Sequence, residues 1–336
     1  MILITGASGM LGSHILFQLC KTENRIRAIK RENSNIKNVL KIFSFYSNEA
    51  ENLLSKVEWV TADILNQDQL NNAFEGVKKV YHCAAKISFS KNHRTILFQT
   101  NVEGTKNIVN LCLYHKVEKL CHVSSVAAIG SYPNGETVNE QTPWTNSPEN
   151  SSYSLSKYHG ELEVWRGIEE GLNAVIVNPA VILGPGNWTK GSSKMFSLVY
   201  NGLSYYSTGI TGFVDVKDVV FLIIELMESK INSERFILSS ENISFKKILG
   251  YIARSMNKTE PRWKISYMRI ILMFRIKYFV EMFTNKEAFL NKELLKFAKE
   301  KSRFDNKKIL TQIPFSFKLV QESCNEISAL FLKDKS

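Results

Sequence analysis

Tyr153 and Lys157 stand four residues apart in the run YSLSK, and a serine pair, Ser124 and Ser125, closes an apolar stretch upstream. Four residues along a helix bring two side chains onto one face, so an ammonium would stand beside a phenol. Such a cation favours the phenolate and is expected to lower the tyrosine pKa, which lets the hydroxyl pass a proton near neutral pH. Ser125 is placed to hold a substrate oxygen beside that phenol. The chain contains 12 Tyr, so roughly one Y-x-x-x-K is expected by chance, and the pair takes its meaning from the serines that precede it.

A second constellation opens the chain as MILITGASGMLG. Ile2, Leu3 and Ile4 make a short apolar run suited to a buried parallel strand, and Thr5 ends it. Glycines follow at 6, 9 and 12, and from Met10 the apolar residues Met10, Leu11, Ile15, Leu16 and Leu19 fall at helical spacing. The glycines therefore lie on a strand-to-helix turn. Gly6 can take a backbone conformation other residues avoid, Gly9 admits a pyrophosphate to the backbone, and Gly12 lets the helix pack on the sheet. With Ser8, Met10 and Leu11 these residues form a phosphate-binding turn of the dinucleotide type, at a helix N-terminus with unpaired N–H groups.

The elements that must position both constellations alternate through the first half of the chain. Strand patterns fall at 26–29, 57–61, 79–83, 120–123 and 175–177, and helix patterns near 68–74, 94–115 and 153–169. This alternation predicts a parallel sheet with crossover helices, whose ligands bind beyond the carboxyl ends of the strands. The residues at those ends are Gly6, Lys30 with Arg31, Asp63 with Ile64, Ala84, Ala85 and Lys86, Ser124 with Ser125, and Asn178 with Pro179. Asp63 suits the adenine amine, although an aspartate there also makes an ordinary turn or cap. Ala84 and Ala85 let a dinucleotide lie close to the backbone. Lys30 and Arg31, with Ser34 nearby and Glu32 one residue late, favour a 2′-phosphate and hence NADP(H) over NAD(H).

After Pro179 the alternation becomes irregular, with a Gly-rich loop GPGNWTKG, a short FVDV strand, a helix through 219–227, a strand at 235–238 and mostly helical patterns thereafter. The expected fold class is α/β: a doubly wound parallel sheet of Rossmann type over 1–179, then a smaller, mostly helical substrate-binding domain over 180–336. Elements near 209–230 are expected to cross back to the first domain.

The 336 residues carry a net charge of +11, and all of the excess lies from Lys246 onward, where 20 Lys and Arg face 9 Asp and Glu. Such a bias most often marks a solvated face, with weak attraction to anionic membranes as its expected consequence. The apolar stretch from Trp263 to Phe283 is interrupted by charge too often to span a bilayer. Placed on a helix its charges circle the axis, so a helical wall over the substrate pocket is expected there. The five cysteines show no paired or metal-type spacing, the histidines are scattered, and no metal site is expected. There is no G-x-S-x-G elbow, no G-K-[ST] after the glycines and no aromatic-and-basic alternation, which disfavours a hydrolase, a P-loop and a nucleic-acid face. The first strand starts at Met1, so no signal peptide is expected and a cytoplasmic location fits.

Taken in order, TGASGMLG, Asp63, HCAA, TNVEGT, HVSS, YSLSK, NPAVILGPG and FVDVKDV resemble the extended short-chain dehydrogenase/reductase family, the NAD-dependent epimerase/dehydratase group. The resemblance runs from Met1 to about Asp218. It implies that Tyr153 is the catalytic acid/base, that Lys157 holds the nicotinamide ribose and lowers the Tyr153 pKa, and that Ser125 orients the substrate oxygen. It also implies that Asn101 supports a proton relay. Where 4,6-dehydratases of the family carry an Asp-Glu pair after the fifth strand, this chain has Ser125, Val126 and Ala127, and Ile129 precedes Gly130 where many sugar epimerases have Tyr. HVSS and NPAVILGPG are closer to the dihydroflavonol-reductase-like and hydroxysteroid-dehydrogenase-like branches, which act on ketones and alcohols of apolar substrates. The expected function is therefore an NADPH-dependent carbonyl reductase acting on a small or apolar molecule. Its alternatives are a nucleotide-sugar epimerase that keeps NAD bound and a non-catalytic NADP(H) sensor. A homodimer is left open. Phe89, Trp144, Trp188, Phe196, Tyr205 and Tyr206 lie in segments that either line the pocket or fill an interdomain core.

Overall fold

The computed structural model describes residues 1–23, 25–131, 136–148, 150–265 and 300–335. Seven parallel strands form the central sheet: β1 (Ile2–Thr5), β2 (Ile26–Lys30), β3 (Val57–Thr61), β4 (Lys79–His82), β5 (Lys119–Val123), β7 (Ala174–Pro179) and β11 (Glu234–Leu238). Their spatial order is β11-β7-β5-β4-β1-β2-β3, so the direction of winding reverses between β1 and β4. A ligand crevice opens at such a reversal, beyond the strand ends.

The first three residues of β1 and the first four of β7 read as continuous apolar runs because both faces of the sheet are covered there. Side chains alternate across the sheet, and the core divides accordingly. Ile2, Ile4, Tyr81, Cys121 and Val177 face the helices α1 (Met10–Thr22) and α9 (Val216–Glu228). Leu3, Val80, Leu120 and Ile176 face α6 (Gly104–Tyr114) and α7 (Ser152–Glu169). The helix expected over 94–115 is observed as α5 (Arg94–Phe98) and α6 joined by one π-helical turn, Gln99–Glu103, which holds Asn101.

The remaining strands lie outside this sheet. β8 (Val181–Leu183), β10 (Ile210–Asp215) and β12 (Glu241–Ser244) form a second sheet in which β10 pairs parallel with β8 and antiparallel with β12. β6 (Thr137–Val138) pairs with β14 (Arg303–Phe304), and β9 (Tyr205–Tyr206) with β13 (Trp263–Lys264). The sequence pattern beyond Pro179 reveals a strand only at β10 and β11; β8 has three residues, and β12 (ENIS) is mostly polar. A separate core gathers around them, with Trp188, Phe196, Phe213, Ile252 and Phe331. The segment expected as a helical wall lies, from residue 266 to 299, outside the described residues. Among the described residues no helix is long and apolar enough to cross a membrane.

Candidate active site

The phosphate turn takes the form its glycines predict. Gly6 has φ +68°, and a Cβ there would meet the Ala84 nitrogen at 2.6 Å. Gly12 lies under the same turn, where a Cβ would meet the Gly6 carbonyl oxygen at 2.3 Å. Gly9 caps α1 with no side-chain hydrogen bond, and the first turn of that helix carries no acidic residue. The N–H groups at the start of α1 are thus left to an anion, and the dipole end favours one. Gly9 is exposed, Ser8, Met10 and Leu11 are half-buried, and the Met10 side chain accepts a hydrogen bond from Ser193 Oγ at 3.5 Å. The chain from Gly184 to Ser193 therefore rests on the phosphate turn. This arrangement fits a dinucleotide pyrophosphate.

At the end of β2, Lys30 is half-buried and Arg31 exposed, and no acidic side chain among the described residues pairs with either. Ser34 Oγ accepts from the Arg31 nitrogen at 3.0 Å and turns the chain there. Past β3, Asp63 makes a turn of its own: its Oδ1 accepts from the Leu65 nitrogen at 2.9 Å. Ile64 is buried against Gly104, where an added Cβ would stand 2.5 Å from Ile64 Cδ1. Past β4, Ala84 is half-buried, while Ala85 and Lys86 are exposed.

Ser125 follows β5 and opens a short 3-10 turn by accepting from the Ala127 nitrogen at 3.1 Å. Tyr153 and Lys157 enter on the first turns of α7, whose N-cap Ser151 accepts from the Ser154 nitrogen at 3.0 Å. Lys157 is 2 % exposed and donates to the Val123 carbonyl at 3.0 Å. Burial lowers its pKa to about 8, against the raising influence of Glu161. The Tyr153 phenol moves the other way. Burial raises its pKa, and the Ser125 side chain, hydrogen-bonding to it, offsets part of that rise. The lowering expected from Lys157 is not seen: burial of the phenol dominates, and the offset comes from Ser125. Of the aromatics considered as pocket lining, Phe89 packs on Tyr153 with ring centres 6.0 Å apart. Trp188 and Phe196 instead lie in the core around Phe331, and Trp144 stacks on Tyr158.

Asn101 is buried in the π-helical turn and works as a clamp. Its Oδ1 accepts from the Lys86 nitrogen at 2.7 Å, and its Nδ2 donates to the Lys86 carbonyl and to Ser156 Oγ, both at 2.9 Å. Ser156 in turn donates to the carbonyl of Tyr153 at 2.8 Å. Behind it runs an oriented chain that the sequence did not suggest. Thr105 Oγ1 donates to the Asn101 carbonyl at 2.8 Å, so it must accept from His82 Nε2, 3.1 Å away. Burial keeps His82 neutral, with a pKa of about 3. Its Nδ1 then accepts from Thr5 Oγ1 at 2.7 Å, and Thr5 accepts from the Ala84 nitrogen at 3.2 Å. The phosphate turn and the helix bearing Tyr153 are joined through buried, directional bonds.

A second network was also missed. Asn178, at the end of β7 beside Pro179, is buried; its Nδ2 donates to the Ser125 carbonyl at 3.0 Å and to Glu161 Oε2 at 2.7 Å. Glu161 also accepts from Ser124 Oγ at 2.7 Å and pairs with Arg235 at 3.0 Å. Glu161 was within reach of sequence reasoning, since it repeats the four-residue spacing of Tyr153 and Lys157. Arg235, 74 residues further on, was not. Among the described residues no cluster of His, Cys, Asp and Glu could hold a metal ion.

A model of the NAD dependent epimerase/dehydratase family matches residues 2–238. The chain belongs to this family. It is an NAD(P)-dependent oxidoreductase of the extended short-chain dehydrogenase/reductase type. Family relatives include the sterol demethylase protein B of Methylococcus capsulatus, 29% identical, with 78% of this chain and 76% of the relative covered. A putative dihydroflavonol 4-reductase of Synechocystis is 28% identical over 77% of this chain and 73% of its own length. The fold is also that of a solved UDP-glucose 4-epimerase from Thermotoga maritima, with a TM-score of 0.79 over 100% of this chain and 99% of that one at 18% identity.

Proposed function

We propose that the protein is an NADP(H)-dependent carbonyl reductase or alcohol dehydrogenase acting on a small, apolar molecule. The observation that carries this reading is the meeting of Ser125 and Tyr153 beside the buried Lys157 at the carboxyl edge of the sheet. A nicotinamide dinucleotide, when bound, supplies or takes up the hydride. Gly6, Ser8, Gly9, Met10, Leu11 and Gly12 would hold its pyrophosphate, Asp63 and Ile64 its adenine end, and Ala84, Ala85 and Lys86 its middle. Lys157, with Asn178 and Pro179 nearby, would hold the nicotinamide half. Lys30 and Arg31, which no acidic side chain among the described residues pairs with, support the phosphorylated form of the dinucleotide, since a guanidinium and an ammonium favour a 2′-phosphate.

Ser125 donates to the substrate oxygen and orients it. Tyr153 gives its proton to that oxygen during reduction and removes it during oxidation. A phenol whose pKa is raised by burial stays protonated at neutral pH, which suits it to the acid role in reduction. Asn101 holds the Lys86 backbone and, through Ser156, the carbonyl of Tyr153; in this reading it is a positioning residue. Phe89 offers an apolar wall next to the phenol, and relatives named as reductases agree with a reductive reaction. Residues 180–336 would form the substrate side of the cleft, against a dinucleotide side at 1–179.

The test is a panel of ketones and aldehydes, apolar and sugar-nucleotide, assayed by the absorbance of NADPH and of NADH. Net NADPH consumption with an apolar carbonyl, and free exchange of the dinucleotide, is the expected result. A protein purified with NAD tightly held, interconverting sugar nucleotides without net consumption, would replace this reading with an epimerase.

A further inference from the structure

Glu161 is 2 % exposed and lies one helical turn beyond Lys157 on α7. A buried carboxylate is costly unless its oxygens are filled, and here both are. Oε2 accepts from Ser124 Oγ and Asn178 Nδ2, each at 2.7 Å. Oε1 accepts from Trp165 Nε1 at 3.3 Å and from Arg235 Nη1 at 3.0 Å. Asn178 passes the restraint on to the carbonyl of Ser125. The Arg235 guanidinium is anchored in turn by the carbonyl of Glu140, which accepts from its Nε at 3.0 Å and from its Nη2. Glu140 closes this arrangement by accepting from the Ile237 nitrogen at 2.9 Å. Strands β5, β7 and β11 are thus tied to α7 at one buried carboxylate.

We propose that Glu161 is a positioning residue of the site, which seats Ser125 through Asn178 and holds the charge of Lys157, with Arg235 setting how much negative charge Lys157 experiences. The inference rests on the assignment of Tyr153 and Lys157 to the chemistry. Burial dominates the ionisation of Lys157, and Glu161 is the larger of the influences that oppose it. From the end of β4 come His82 and Cys83, and from β5 comes His122. Burial keeps both histidines neutral and pushes the Cys83 thiol up to about 12. Tyr153, on the same helix, is likewise held protonated by burial. Glu161 is therefore the carboxylate acting on the ammonium, and the same carboxylate is paired with Arg235 at 3.0 Å.

The experiment follows the ionisation of Lys157 itself, by NMR of the full chain with isotope-labelled lysine side chains. The resonance is assigned by its absence in Lys157→Arg. In Glu161→Gln the midpoint is expected to move to lower pH by about one unit, because the stabilising anion is lost. In Arg235→Gln it is expected to move to higher pH, because the anion is no longer offset. Glu161→Asp keeps the charge and should keep a midpoint near that of the wild type, which also serves if the glutamine variant does not fold. General damage to the site would move the variants in the same direction, so opposite shifts are the signature sought. Midpoints unchanged in Glu161→Gln and Arg235→Gln, or shifted alike in both, would overturn the proposal. NADPH binding followed by fluorescence over the same pH range separates the two readings. Midpoints that shift as stated, with binding indifferent to them, would uphold Glu161 and remove Lys157 from the dinucleotide site.

Discussion

Lys157 Nζ donates to the carbonyl oxygen of Val123 at 3.0 Å, so the buried ammonium of α7 is seated on the last residue of β5. The bond joins the helix that carries Tyr153 to the strand that leads into Ser125. It also places a cation where burial disfavours charge, and that has a consequence for stability.

The Lys157 pKa falls from the ordinary 10.5 to about 8 on folding. Below about pH 8 the folded and unfolded chains both carry the charge, and the fold bears the cost of burying it. Between about 8 and 10.5 the folded protein has released the proton while the unfolded chain retains it. The unfolded state then binds more protons, so stability rises with pH through this window. Lys157→Met removes that contribution. Urea unfolding of both proteins at pH 7, 9 and 10.5 should show the wild type gaining on the variant as pH rises. Parallel curves would exclude a depressed lysine.

Tyr153→Phe removes the hydroxyl and leaves the ring packed on Phe89. Turnover should fall by about 10² to 10⁴, the span expected for losing a general acid, while NADPH affinity stays close to that of the wild type. Single-turnover rates and binding titrations measure the two separately. A variant with near-normal turnover would mean that another group supplies the proton.

Lys30→Ala with Arg31→Ala takes away both cations at the end of β2. NADPH binding should weaken by tenfold or more, the loss of at least one charge-assisted bond to phosphate, and NADH binding should change little. Calorimetric titration with each dinucleotide decides. Equal losses for the two, or a wild-type preference for NADH, would contradict the assignment of the 2′-phosphate site.

Gly160 allows α7 to approach the π-helical turn: a Cβ there would meet the Asn101 carbonyl oxygen at 2.2 Å. Backbone cannot swing aside as a side-chain tip can, so Gly160→Ala must push the helix and the turn apart. The cost should be about 1–3 kcal/mol, as for other overpacked sites. The same displacement should disturb the bonds from Asn101 to Lys86 and Ser156 and lower turnover along with stability. Thermal unfolding and initial rates, measured on one preparation, test both effects. An alanine variant of wild-type stability would show that the two helices are less closely packed than their backbones indicate.

Local chemistry makes much of this protein legible in its sequence. The glycines at 6, 9 and 12 constrain backbone conformation and approach within one turn, and the strand patterns at 2–4, 57–61 and 79–83 are signalled by their neighbours alone. Tyr153 and Lys157 could be paired because helical periodicity relates residues four apart. Tertiary structure decided what depends on distant partners. Trp188 and Phe196 fill a core around Phe331 because strands and helices remote in sequence enclose them, and no local pattern distinguishes such a core from a pocket wall. The sign of the Tyr153 shift reversed for a related reason: adjacency to a lysine is written in the spacing, whereas desolvation depends on everything packed around the phenol. Glu161 meets Arg235 across 74 residues, and Thr5 meets His82 across 77. Those pairs exist because burial forces polar groups to find partners once the sheet has assembled, and which partner stands within reach is set by the order of the strands.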